Sequence, residues 1–308
     1  MISYRLWRFA PALYEDTHIV KLKHCLSIIA IAAAGTLVGL PSASAAGGKY
    51  VALGDSYAAG VGISNILDKT CSRSDRNYAH LFAAARGYSL TDVTCGGATT
   101  DTVTSGQLSA VTADTALVTL GVGGNDIGFG SIVKDCVTAG TLGTGSGTGS
   151  AALQALGTGS TSGSAELLLG CKNKYDADMP NRFAQVSAKV AKLVSDIKTR
   201  APQARIVLVG YPHILPDNAA LCAGRQPVLP GDVDWARDTV VGGLNTMLKS
   251  QSGTEYFSTY ELSNGHDACE AIPDRWINGT SVDNGEGAQF HPNQYSHAAT
   301  AQQMIATL

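Results

Sequence analysis

The chain predicts a three-layer α/β/α fold around a parallel sheet of five strands, and three observations carry that expectation. Short apolar, β-rich runs alternate with longer stretches of helical periodicity, the pattern of parallel strands joined by crossover helices. Three of the apolar runs end in glycine-rich turns, as strands do where they deliver loops to one edge of an open sheet. With 308 residues, 44% of them hydrophobic and 15% charged, the chain is long enough for one such domain and does not require a second.

The N-terminal part is set apart by composition. Lys21, Lys23 and His24 precede the apolar run Cys25 to Leu40, and Ala43-Ser44-Ala45 offers a small-residue cleavage site, so residues 20–45 read as a secretory signal. The run is short for a membrane span and contains Ser27, Gly35, Thr36 and Gly39, so no stable membrane anchor is expected. Residues 1–19 carry Glu15 and Asp16 and fit no targeting pattern; they read as an extension upstream of a true start at Val20. The mature protein is then one domain over residues 46–308, secreted and monomeric. Its formal charge of -3 and its lack of Lys/Arg runs give no reason to expect nucleic acid or an anionic membrane surface as a partner.

Loss of Cys25 with the signal leaves Cys71, Cys95, Cys136, Cys171, Cys222 and Cys269. An even number in an exported chain implies disulfides, and the spacing leaves the pairing open. No C-x-x-C or H-x-x-x-H spacing occurs, so no metal site is expected.

Taken in order, Tyr50 to Leu53 reads as the first buried strand, and Gly54 permits a sharp turn that delivers Asp55 and Ser56 at the strand's carboxyl end. A polar stretch, Ser64 to Asn77, leads to an Ala-rich helix, Tyr78 to Arg86. Leu90 to Thr94 is the second strand and runs into Cys95-Gly-Gly-Ala-Thr-Thr100. The third, Thr115 to Gly121, ends in Val122-Gly-Gly-Asn-Asp-Ile-Gly128, where Asn125 and Asp126 follow paired glycines that leave room for a ligand. Residues 138–165 are dominated by Gly, Ser and Thr and read as a flexible surface insertion between Cys136 and Cys171.

Phe183, Val186, Val190, Leu193, Val194 and Ile197 recur at helical spacing within Arg182 to Arg200, with Pro202 just beyond the end. Arg205 to Gly210 is the fourth strand, followed by Tyr211-Pro212. Asp232 to Lys249 is a further helix, weakened in its middle by Gly242-Gly243. Glu255 to Tyr260 is the fifth strand. Of the C-terminal histidines, His266 beside Cys269 and His297 near the start of the last helix, Ser296 to Leu308, read as structural. His291, in the loop before that helix, can reach back to the sheet edge.

Nucleophilic acyl transfer needs a serine, a base and donors aimed at an oxyanion. Ser56 supplies the nucleophile and His291 the general base and acid; the backbone N–H groups of Ser56 and Gly97 and the Asn125 side chain supply the donors. The blocks Gly54-Asp-Ser56, Gly97, Gly124-Asn-Asp126 and His291 resemble, in order, those of the GDSL or SGNH hydrolase family, over Val51 to Asn293. Gly-Asp-Ser-Tyr, Cys-x-Gly-Ala-Thr-Thr, Val-Gly-Tyr-Pro and Phe-His-Pro-Asn are similar to its secreted actinobacterial-type lipases and esterases. That resemblance implies a flavodoxin-like sheet, the SGNH hydrolase fold, and the bridges Cys71–Cys95, Cys136–Cys171 and Cys222–Cys269.

One position departs from the family pattern. Where many members place an aspartate three residues before the catalytic histidine, this chain has Ala288. Similar secreted members imply a Ser56–His291 dyad instead, with a backbone carbonyl near Ala288 or Gln289 orienting the imidazole; Asp283 and Glu286 are close in sequence but off the family offset. The resulting expectation is a cofactor-free esterase or lipase acting on small-molecule or lipid esters. A phospholipase or polysaccharide deacetylase with the same site is the alternative, and an exported binding protein without turnover is the remote one.

Overall fold

The computed structural model describes residues 47–144 and 169–308. The expected export signal, the extension before it and residues 145–168 of the Gly/Ser/Thr stretch lie outside the described residues.

Among the described residues there are seven strands: β1 (Lys49–Gly54), β2 (Ile66–Asp68), β3 (Arg73–Ser74), β4 (Ser89–Asp92), β5 (Thr115–Gly121), β6 (Arg205–Val209) and β7 (Glu255–Phe257). Five form one sheet in the order β4-β1-β5-β6-β7, and all its pairings are parallel. The first strand lies between the second and third of the sheet, the flavodoxin-like arrangement, which has its topological switch point beside β1. Side chains along each strand alternate between two buried clusters. Val51, Leu53, Val118, Leu120, Ile206 and Leu208 face one side with Val190, Leu193 and Ile197 of the helix Met179–Arg200. Tyr50, Ala52, Val207 and Val209 face the other, with Phe82 of the helix Tyr78–Arg86 and Met304 of the helix Gln294–Thr307. The sheet is thereby covered on both faces, as a parallel sheet requires.

β1 and β5 end together, with Gly54 opposite Gly121. A side chain at Gly54 would place its Cβ 2.6 Å from the Gly121 carbonyl oxygen, and Gly54 has φ +150°, so only glycine fits where the chain leaves the sheet toward Ser56.

Several boundaries differ from the sequence expectation. The fifth sheet strand stops at Phe257 rather than Tyr260, because the Ser258 side chain caps a helical turn over Thr259–Leu262. The long helix begins at Met179, with Pro180 in its first turn, and the last one begins at Gln294, capped by Asn293. The expected helix Asp232 to Lys249 starts at Pro230 and widens to π geometry over Ala236–Gly242, next to the Gly pair that weakens it. A helix over Phe129–Thr144 includes the first residues of the stretch expected to be a flexible loop. The polar segment after Ser64 contains the antiparallel ribbon β2–β3.

Three disulfides join Cys71 to Cys95, Cys136 to Cys171 and Cys222 to Cys269. None of the helices among the described residues is long and apolar enough to cross a membrane.

Candidate active site

The loops that follow β1, β4, β5 and β6 gather at the carboxyl edge of the sheet, and the loop before the last helix folds over it. Asp55 caps the short helix Ser56–Ala59 by accepting the Tyr57 N–H at 2.9 Å, which turns Ser56 out of the strand direction. Gln107 clamps the preceding peptide: its side chain accepts the Gly54 N–H at 2.8 Å and donates to the Gly54 carbonyl at 2.9 Å. The turn bearing the serine is held on both sides before any partner reaches it.

The Ser56 Oγ lies 2.8 Å from His291 Nε2. The other ring nitrogen, Nδ1, lies 2.7 Å from the carbonyl oxygen of Gln289. A carbonyl only accepts, so Nδ1 carries the proton and Nε2 is left as the acceptor that faces the serine hydroxyl. Of the two candidate carbonyls, Ala288 is occupied otherwise: it accepts the His291 N–H at 3.2 Å and the Asn278 side-chain amide at 3.3 Å. Asp283 pairs with Arg275 at 2.5 Å, and Glu286 accepts from Arg76 at 2.9 Å and from the Ser64 N–H at 2.7 Å, so both acids are committed to cations or amides away from the ring. Burial holds the His291 imidazole below the usual histidine range, against a smaller upward pull from the Gln289 carbonyl.

The loop that delivers His291 takes its shape from Asn278, which is fully buried. Its side chain donates to the Glu286 carbonyl at 3.1 Å, and its backbone exchanges hydrogen bonds with Phe290 and His291. Between them, Phe290 adopts φ 55°, a left-handed conformation that is costly for a bulky residue. The Tyr57 hydroxyl donates to the Phe290 carbonyl at 2.5 Å, and the Tyr57 ring lies against the His291 ring with centroids 4.8 Å apart. The residue after Ser56 thus braces the residue before His291.

The remaining blocks lie in the loops after β4 and β5, at the same edge of the sheet. Gly97 has φ +78°, and among the described residues no hydrogen bond engages its N–H or that of Ser56. The Asn125 side-chain amide is fixed by donating to the Ala98 carbonyl at 2.9 Å, which leaves its second N–H for another acceptor. Asp126 accepts the Thr100 hydroxyl at 2.6 Å and the Thr100 N–H at 3.0 Å, tying the asparagine block to the glycine block. Tyr211 joins two blocks: its hydroxyl donates to Asp55 at 2.5 Å and accepts the Gly124 N–H at 2.9 Å. Asp55 is only 1% exposed, and burial pushes its pKa up to about 7 despite its two donors, the Tyr211 hydroxyl and the Tyr57 N–H.

The structure therefore brings Ser56, His291, Gly97 and Asn125 to one edge. His266 and His297 are engaged by other partners. His266 stacks on Trp276, and His297 is buried with its Nδ1 accepting the Tyr78 N–H at 3.1 Å. Sequence reasoning gave no role to Tyr57, Gln107 or Tyr211. Tyr211 stands in the Val-Gly-Tyr-Pro block and had a signal; Gln107 had none, since its partner lies 53 residues away.

The model of the GDSL-like lipase/acylhydrolase family matches residues 52–299. Lipase 2 of Streptomyces coelicolor is 35% identical over 274 residues, covering 80% of this chain and 84% of that one. The crystal structure of a phospholipase A1 from Streptomyces albidoflavus superposes with a TM-score of 0.64 at 25% identity, covering 85% of this chain and 100% of that one. An extracellular lipase from Streptomyces rimosus superposes with a TM-score of 0.63 at 23% identity, covering 84% of this chain and 99% of its own.

Proposed function

The chain belongs to the GDSL-like lipase/acylhydrolase family, and we propose that it is an exported carboxylic-ester hydrolase that works through a Ser56–His291 dyad and an acyl-enzyme intermediate. The observation that carries this reading is the line Ser56 Oγ, His291 Nε2, His291 Nδ1, Gln289 carbonyl, with separations of 2.8 Å and 2.7 Å.

In the first half-reaction Ser56 Oγ attacks the ester carbonyl while His291 Nε2 takes the hydroxyl proton. The negative charge that forms on the carbonyl oxygen is met by the N–H groups of Ser56 and Gly97 and by Asn125. One such donor is worth roughly 10²–10³ in rate. Collapse of the tetrahedral species breaks the bond to the alcohol oxygen, which leaves with the proton held by His291. In the second half water attacks the acyl-serine, its proton passes to His291, and the acid departs as Ser56 recovers its hydrogen. The Gln289 carbonyl fixes the tautomer and stabilises the imidazolium less than a carboxylate would.

Export is supported by the three disulfides, which belong to oxidising compartments, and by the extracellular lipase among the structural neighbours. A phospholipase reading of the same site is favoured by the likeness to the Streptomyces albidoflavus phospholipase A1. Hydrolysis of a short-chain p-nitrophenyl ester, abolished in Ser56→Ala, tests the esterase reading; turnover that survives the substitution contradicts it.

A further inference from the structure

This inference rests on the esterase reading and concerns the apolar part of the substrate. Beside His291 a groove of about 500 Å³ runs between the helix Phe129–Thr144 and the loop carrying Thr280, Gln289 and Phe290. That volume lies within the range of small-molecule sites. Its helical wall is made by Phe129, Val133 and Val137, spaced four residues apart and so aligned on one face over roughly 12 Å of helix. Adjoining the groove is a small pocket of about 20 Å³, lined only by apolar residues that include Ile132, Ile214, Leu215 and Val240. It offers no polar partner to a water. Phe129, Val133, Val137 and Phe290 line both spaces and form the wall between them. Three of these wall residues sit on a regular helix; the fourth, Phe290, is held at φ 55° one residue before His291.

We propose that this groove binds the linear aliphatic chain of the ester, and that the Phe290 ring closes its floor and sets the longest chain accepted. The chain enters beside His291, follows Phe129, Val133 and Val137, and stops against the wall shared with the small apolar pocket. The aliphatic chain can belong to the acyl group or to the alcohol. The two sources share the chemistry that the groove recognises, and two substrate series separate them.

The test compares wild type, Val133→Trp and Phe290→Ala on p-nitrophenyl esters from acetate to palmitate and on acetates of alcohols from ethyl to dodecyl. Burial of each methylene raises kcat/KM about fourfold until the chain reaches its limit. The wild type shows that climb in one of the two series, and that series names the source. In that series Val133→Trp lowers the octyl-to-ethyl or octanoate-to-acetate ratio by more than about tenfold. Phe290→Ala opens the floor and moves the optimum to longer chains. Because each ratio is taken within one variant, a general loss of activity or folded protein does not change it. Ser56-dependent turnover with ratios unmoved by Val133→Trp in both series overturns the groove, and an optimum unmoved by Phe290→Ala overturns the partition. A wild type that cleaves none of these esters, or cleaves them after Ser56→Ala, removes the esterase reading and the groove with it.

Discussion

His291 receives its orientation from Gln289, two residues before it in the chain, through a 2.7 Å contact between Nδ1 and a backbone carbonyl. The bond is local, so its geometry depends on the backbone of Phe290, the residue between. Tyr57 secures that backbone from the other side of the cleft with a 2.5 Å hydrogen bond to the Phe290 carbonyl. The tautomer of His291 is thus controlled from the turn that carries Ser56.

Tyr57→Phe removes that brace and keeps the ring that lies against His291. The substitution is expected to lower kcat roughly tenfold through misplacement of the base. Steady-state kinetics on a short-chain ester decides it. An unchanged kcat means that the Phe290 conformation is self-supporting.

Burial lowers the His291 pKa, and the base must be neutral to take the serine proton. The rate kcat/KM is therefore expected to rise with pH through a midpoint below the ordinary histidine value of about 6.5 and to be flat through neutrality. A pH–rate profile with a midpoint above that value would show an imidazolium stabilised by a negative neighbour, contrary to the carbonyl assignment.

Much of this was legible in the sequence for physical reasons. Gly54, Gly97 and Gly123-Gly124 mark strand ends because the chain must turn sharply or admit a ligand there, and a parallel sheet brings such ends together. The parts that escaped reading work across space or through the backbone. Gln107 meets Gly54 across 53 residues and Tyr211 meets Asp55 across 156, and no local pattern announces either contact. The conformation of Phe290 has no side-chain signature. The helix Phe129–Thr144 did have one: Phe129, Ile132, Val133, Cys136 and Val137 recur at helical spacing, hidden among glycines and threonines of low helix propensity.

Tyr211→Phe leaves two buried groups without a partner, the Asp55 carboxyl oxygen and the Gly124 N–H. The expected cost is about 1–3 kcal/mol for each. Denaturant unfolding measures it. A loss below about 0.5 kcal/mol would mean that water replaces the hydroxyl at both sites.

Burial holds the His297 pKa down to about 4, with the neighbouring His291 acting in the same direction. The unfolded chain takes up this proton near pH 6.5, before the folded one does. The contribution of His297 to stability is complete above pH 6.5 and falls by about 3 kcal/mol as the pH drops toward 4. Asp55, raised to about 7, acts with the opposite sign: it stabilises most at low pH and loses that contribution as the pH rises through 7. The difference between wild type and His297→Asn isolates the histidine. That difference should grow in favour of wild type by about 3 kcal/mol as the pH rises from 4 to 6.5, and parallel curves would contradict the assignment.

The account turns on a base oriented by a carbonyl, with no carboxylate behind it, and the variant Asp283→Asn/Glu286→Gln tests that most directly beside His291→Ala. These two acids are the sequence neighbours best placed to act as a third member, yet they pair with Arg275 and Arg76. Measured as kcat/KM on a p-nitrophenyl ester, the double variant should stay within about tenfold of wild type, while His291→Ala falls by roughly 10³ or more. A double variant as impaired as His291→Ala would place a carboxylate in the mechanism and contradict the dyad.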